Sequence, residues 1–202
     1  SDFIMSVILA MCLFSLSMSI SPGPVNLITL STGVNHGFRN AMPFVSGATV
    51  GFTLLLLMIG LGIGRIAAEN QEVMSLLSYL GAGFICYMGY KVATANPDIE
   101  IANDTRPTFI QGVLLQWLNP KAWIACLSGV TAFNLADASS LLYVFVGLYF
   151  MICYVCVSSW ALVGDRISSL LAERSNLRVF NRVMGSILIV VAIYLLYLQH
   201  SS

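Results

Sequence analysis

Charge is what this sequence lacks most. Of its 202 residues only 9% are charged, while 58% are hydrophobic and the mean hydropathy is +0.87. An ordinary soluble domain carries about a quarter charged residues. A chain this poor in polar surface cannot face water on all sides, and a lipid bilayer is its natural solvent. Nine basic and nine acidic residues give a formal net charge of zero, so no basic excess points to nucleic acid. No metal-ligand spacing occurs, because His36 and His200 lie far apart at the edges of apolar segments. The five cysteines (Cys12, Cys86, Cys126, Cys153 and Cys156) sit in apolar segments rather than in a spaced extracellular framework. No Lys or Arg precedes the first apolar run, unlike the n-region of a cleaved signal peptide, so that segment is expected to be retained.

What the sequence does have is long apolar runs. A helix needs about 20 apolar residues to cross a bilayer. Six segments qualify, over residues 3–34, 41–63, 73–93, 109–133, 141–163 and 179–198. The first exceeds one crossing, so a break or a strong tilt is expected there. The connections after spans 1, 3 and 5 carry Arg39, Lys91, Arg106, Arg166, Arg174, Arg178 and Arg182, whereas the others carry only Arg65. Under the positive-inside rule the odd-numbered connections are cytoplasmic and both termini lie outside. The stretch DRISSLLAERSNLRVF, within residues 164–182, alternates charge with apolar residues. It reads as a short amphipathic surface helix or as a solvated loop.

Six spans divide into two three-helix halves, residues 3–93 and 109–198, of a single transmembrane domain covering 1–202. An odd count per half makes the second half enter from the opposite side, which predicts an all-α membrane protein with an inverted-topology repeat. Corresponding features then follow. Span 1 is interrupted by Pro22-Gly23-Pro24, and span 4 by Asn119-Pro120-Lys121 near its midpoint. The glycines match more loosely: Gly47 and Gly51 in span 2 with Gly147 in span 5, and Gly81 and Gly83 in span 3 with Gly185 in span 6. Gly47-x-x-x-Gly51 permits close helix approach, within one chain or across a homodimer seam.

A proline removes a backbone donor and clashes with the carbonyl four residues earlier. Pro22, Pro24 and Pro120 therefore free the carbonyls of Met18, Ile20 and Gln116, which must face protein or a wet cavity inside a membrane. A new half-helix begins beyond each break, and its free N–H groups favour an anion such as a carboxylate. Lys121 lies about 12 residues into its span, roughly 18 Å along the helix. An ionised lysine at that depth costs about 2.5–3.5 kcal/mol, and no Asp or Glu lies within a span interior to pair with it. It has two candidate partners, the freed carbonyls of the span 1 break and the carboxylate of a substrate. Asn26, Gln116 and Asn119 add groups that both donate and accept. The candidate binding set is Pro22, Gly23, Pro24, Asn26, Gln116, Asn119, Pro120 and Lys121.

SPGPVNLITLSTGVNHGFRNA, the Gly47 and Gly51 pair, GAGFICYMGYK and GVLLQWLNPKAW occur in this order along the chain. Together they resemble the LysE/RhtB family of amino-acid exporters, with Pro-Gly-Pro and Asn-Pro-Lys the most specific elements. The similarity is greatest to the branch exporting neutral amino acids such as homoserine, threonine, cysteine or O-acetylserine. It implies a transporter rather than an enzyme, working without a cofactor. It also implies efflux of an amino acid across a bacterial inner membrane, with protons as the coupling ion. Family members that export lysine or arginine place acidic residues inside their spans. Here Asp137 and Asp165 lie only at span ends, which favours a neutral or zwitterionic substrate. Asp165 is the candidate for proton coupling, with pairing to Arg166 or a neighbour as its structural alternative.

Two other function classes remain open from the sequence. Cys153-Tyr154-Val155-Cys156 puts two thiols on one face of span 5, as in a transmembrane thiol–disulfide electron carrier. However, no cationic neighbour lowers their pKa, and neither Cys12 nor Cys126 adjoins a proline break. A non-transporting membrane subunit would need Lys121 and the breaks for folding alone.

Overall fold

The computed structural model describes residues 2–95, 106–135 and 140–201; Asp137 lies outside them. The chain opens with α1 (Asp2–Ile20), breaks, and resumes as α2 (Pro24–His36). α3 (Phe38–Gly60), the short α4 (Ile63–Glu69) and α5 (Gln71–Ala93) follow. The later part comprises α6 (Phe109–Trp117), α7 (Pro120–Ala132), α8 (Ser140–Ile167), a 3-10 turn at Ser168–Leu171 and α9 (Arg174–Ser201).

Local chemistry sets the helix starts. Pro24 and Pro120 stand in the first turns of α2 and α7, where a missing N–H loses no bond. The Asn70 side chain caps α5 by accepting from the backbone N–H of Glu72 and Val73. Thr108 and Gln111 close a capping box on α6. Gly37 (φ 83°) allows the chain to turn between α2 and α3 with almost no linker.

Among the described residues five helices are long and apolar enough to cross a bilayer: α1, α3, α5, α8 with the 3-10 turn that follows it, and α9. The expected span at 109–133 is divided between α6 and α7, of nine and thirteen residues, each too short to cross alone. Large apolar side chains project outward, among them Leu9 and Leu13 on α1 and Val190 and Tyr197 on α9. Such faces suit hydrocarbon rather than water. Inside, α3 packs on α6 and α8, α8 on α1 and α2, and α5 on α9. Phe14, Phe133 and Phe145 form a ring cluster with centroids 5.2 to 6.1 Å apart, joining α1 to α8.

Three helix pairs touch backbone to backbone at glycines. Gly33 of α2 and Gly164 of α8 lie against each other's helices, Gly47 of α3 meets α6 at Phe109 and Gly112, and Gly89 of α5 meets Gly185 of α9. All three contacts lie toward the end that carries Arg39, Lys91, Arg106, Arg166 and Arg174. Gly47 and Gly51 are thus occupied by α6 of the same chain. Gly147 has nothing within 4 Å of where a Cβ would stand, so its pairing with Gly47 and Gly51 does not extend to packing.

The amphipathic surface helix expected within 164–182 does not form as a separate element. α8 runs to Ile167, α9 begins at Arg174, and only the 3-10 turn and two further residues intervene. The alternating pattern is shared among the end of α8, the 3-10 turn and the start of α9, where Arg174, Arg178 and Arg182 recur every four residues and share one face.

Candidate functional site

The two breaks meet in the middle of the bundle. There the described residues line a half-open cavity whose empty space, open solvent at its mouth included, is about 440 Å3. Gly23, Pro24, Asn26, Gln116, Asn119 and Lys121 all line it. Pro22 contributes its carbonyl oxygen, 3.4 Å from Lys121 Nζ, while Pro120 does not line the space and serves to start α7. Asp165 stands apart, near the end of α8 and beside Gly37 at the α2–α3 turn. The structure thus separates the coupling candidate from the binding candidates.

The carbonyls freed by the prolines are satisfied within the protein. Met18 O accepts from the Ser21 hydroxyl at 3.0 Å, and Ile20 O from Trp160 Nε1 at 3.2 Å. Gln116 O accepts the backbone N–H of Asn119 at 3.2 Å. Asn26 then staples the break, with Nδ2 donating to both Ser19 O and Ser21 O at 2.8 Å. In the second break the Leu118 carbonyl lies against Gly81 of α5, where no side chain could be accommodated.

Lys121 belongs to the first turn of α7, yet its ammonium reaches across to the other break. Nζ donates to Ser21 Oγ at 2.8 Å and to Pro22 O. It lies 3.0 Å from where a Cβ of Gly23 would stand, so a glycine here admits the ammonium. Gly23 is the N-cap of α2, and no side chain caps that helix. The positive ends of two half-helices and a lysine therefore converge, and no carboxylate lines the cavity. A cation at a helix N-terminus is electrostatically unfavourable, and an anion there is favourable.

Buried polar atoms without a hydrogen-bond partner among the described residues fall on one seam, that of α1 and α2 with α8. They are Ser19 Oγ, Asn26 Oδ1, Thr29 Oγ1, Ser31 Oγ and Ser158 Oγ. Ser19 and Asn26 also line the cavity. The amide orientation of Asn26 is fixed because both partners of Nδ2 are carbonyl acceptors, which leaves Oδ1 as an unpaired acceptor.

The opposite wall was not legible in the sequence. Phe52, Tyr149, Cys153, Val157, Ala122 and Ala125 complete the lining. Phe52 and Tyr149 stack with centroids 4.4 Å apart. Cys153 and Cys156 are free thiols. α8 is apolar on nearly every side, so no periodic signal marks its cavity-facing residues.

A family model described as "LysE type translocator" matches residues 16–199. The chain belongs to the LysE type translocator family. It is a multi-pass membrane transporter rather than an enzyme, and the resemblance read from its Pro-Gly-Pro and Asn-Pro-Lys elements holds. Similar proteins include the cysteine/O-acetylserine efflux proteins of Escherichia coli (strain K12) and Shigella flexneri serotype 5b (strain 8401). Each is 28% identical over 189 residues, covering 91% of this chain and 94% of the relative. No solved structure matches the chain.

Proposed function

We propose that this LysE type translocator exports a small neutral or zwitterionic amino acid from the cytoplasm by proton antiport, with the central cavity as its binding site. The carrying observation is Lys121 Nζ seated over the uncapped N-terminus of α2, with no acidic side chain lining the cavity. That arrangement suits a carboxylate, which would replace the Ser21 and Pro22 contacts of the ammonium. The names of the cysteine/O-acetylserine efflux relatives support short polar substrates of that kind.

We infer six crossings arranged as an inverted three-plus-three repeat, with α1–α2 and α6–α7 as the broken pair. Under a two-fold axis exchanging the halves, the α3–α6 packing corresponds to α8–α1, while α3–α8 and α5–α9 correspond to themselves. These are among the chain's main helix contacts. The three glycine contacts at one end then fit a conformer closed on that side, as alternating access requires. The positive-inside count supports a bacterial inner-membrane orientation with both termini periplasmic.

Uptake of labelled neutral amino acids into inside-out vesicles, with and without a proton gradient, tests the reading. Gradient-dependent accumulation is the expected result, and Lys121→Gln should weaken it by about ten-fold or more through loss of a charged hydrogen bond. No accumulation across a broad panel, with folded protein, would overturn the export reading. Unchanged kinetics for Lys121→Gln would remove Lys121 from the site.

A further inference from the structure

The cavity wall carries two kinds of group. Among the polar ones are the Lys121 ammonium and the α2 N-terminus, and two acceptors without a hydrogen-bond partner among the described residues, Asn26 Oδ1 and Ser19 Oγ. Asn26 is 5% exposed and Ser19 7%, so both are shielded from bulk water. A buried acceptor without a donor is unfavourable, and few survive in folded proteins. The stacked Phe52–Tyr149 pair, Cys153 and Ala125 also line the cavity and carry no charge.

We propose that the cavity reads all three parts of its substrate. Lys121 takes the carboxylate, Asn26 Oδ1 and Ser19 Oγ take the α-ammonium, and the Phe52–Tyr149–Cys153 face takes a short uncharged side chain. This rests on the export reading and goes beyond it by assigning the ammonium and side-chain subsites. The chemistry is selective. An ammonium has donors for two acceptors at once, whereas an acylated nitrogen has one N–H and no charge. A basic side chain would bring a further cation into a cavity that no carboxylate lines, and an acidic one would place an anion against aromatic rings. Either is a buried charge without a partner. Ala125 is small and lines the cavity, which leaves room beside it.

Two variants and one competitor test this in the inside-out vesicle assay, using wild-type transport of free cysteine and O-acetylserine as reference. Ser19→Ala removes a hydroxyl that has no hydrogen-bond partner among the described residues. Its melting temperature should match wild type, whereas its KM should rise about ten-fold. N-acetylcysteine, which lacks the ammonium, should fail to compete. Ala125→Leu should lose O-acetylserine, the longer substrate, before cysteine. The proposal is overturned if Ser19→Ala keeps the wild-type KM or if N-acetylcysteine competes as well as cysteine. It is also overturned if Ala125→Leu leaves the cysteine to O-acetylserine ratio unchanged. Wild-type protein that transports no amino acid would instead overturn the export reading, so the two failures are distinguishable.

Discussion

Replacing Gly147 and Gly164 by alanine, one at a time, makes the same chemical change at two places on α8 with opposite expected results. Glycine within a helix is less favourable than alanine by about 0.5–1 kcal/mol, so each variant gains that much from the backbone alone. At Gly147 nothing lies within 4 Å of the new Cβ, and the gain stands unopposed. At Gly164 the Cβ would run into the Leu30 carbonyl oxygen and stand 3.0 Å from Val34 N and 3.1 Å from Gly33 Cα. These are backbone atoms that cannot rotate aside. α2 and α8 must part along a buried seam, and overpacking of this kind costs about 1–3 kcal/mol. The net expectation is a gain of about 0.5–1 kcal/mol for Gly147→Ala and a loss of about 0.5–2 kcal/mol for Gly164→Ala. For a chain of this size each kcal/mol moves the melting temperature by about 2–4 °C. Thermal unfolding in detergent, followed by reaction of the buried thiols Cys126 and Cys153 with a fluorogenic maleimide, gives the readout. A rise for both variants would refute the claim that the α2–α8 seam depends on backbone contact.

Asn26→Ala strands the Ser19 and Ser21 carbonyls inside the bundle and should lower stability by about 2–5 kcal/mol, measured by the same thiol assay. Asn35 and Asn181 exchange two hydrogen bonds, at 2.7 and 2.8 Å, between α2 and α9. Asn35→Ala removes both of these bonds from the Asn181 amide, and Asn181→Ala leaves Asn35 Oδ1 without its donor while Asn35 Nδ2 keeps Ser31 O, so the double variant should be less harmful than the two single losses added together, as a double-mutant cycle would measure. Thr29→Val and Ser158→Ala remove hydroxyls that have no hydrogen-bond partner among the described residues, and both should leave the melting temperature unchanged or raise it.

The breaks were legible because proline carries its meaning locally. Pro24 and Pro120 end one hydrogen-bond ladder and begin another wherever they stand. Lys121 was legible because an ionised side chain so deep in an apolar run demands a partner. The reach of that lysine across the bundle to Ser21 and Pro22 was one of two alternatives in the sequence, since it depends on which helices become neighbours. Phe52 and Tyr149 gave no signal, and Cys153 was marked only as half of a thiol pair: where a helix is apolar on nearly every side, as α8 is, cavity-facing and lipid-facing residues have similar composition. Of the two readings of 164–182, a separate surface helix or a solvated loop, the separate helix does not form. The pattern is real but divided between the end of α8, the 3-10 turn and the start of α9, and periodicity does not say where one helix ends.

The clustering of glycine contacts toward one end also has a geometric consequence. From Gly164 to Ser140, α8 extends roughly 36 Å. A helix held close to one end acts as a lever about that point. Turning α8 by roughly 10° about the Gly164 contact would carry its far end roughly 6 Å, at 1.5 Å rise per residue. Backbone against backbone at the pivot would not block such a turn, whereas the Phe14–Phe145 and Phe52–Tyr149 ring contacts further along α8 would have to slide. The residues at the pivot would barely move, while the cavity walls at Tyr149 and Cys153, part-way along the lever, would shift by an intermediate amount. A turn about the glycine contact would thus widen the far side without bending the helix.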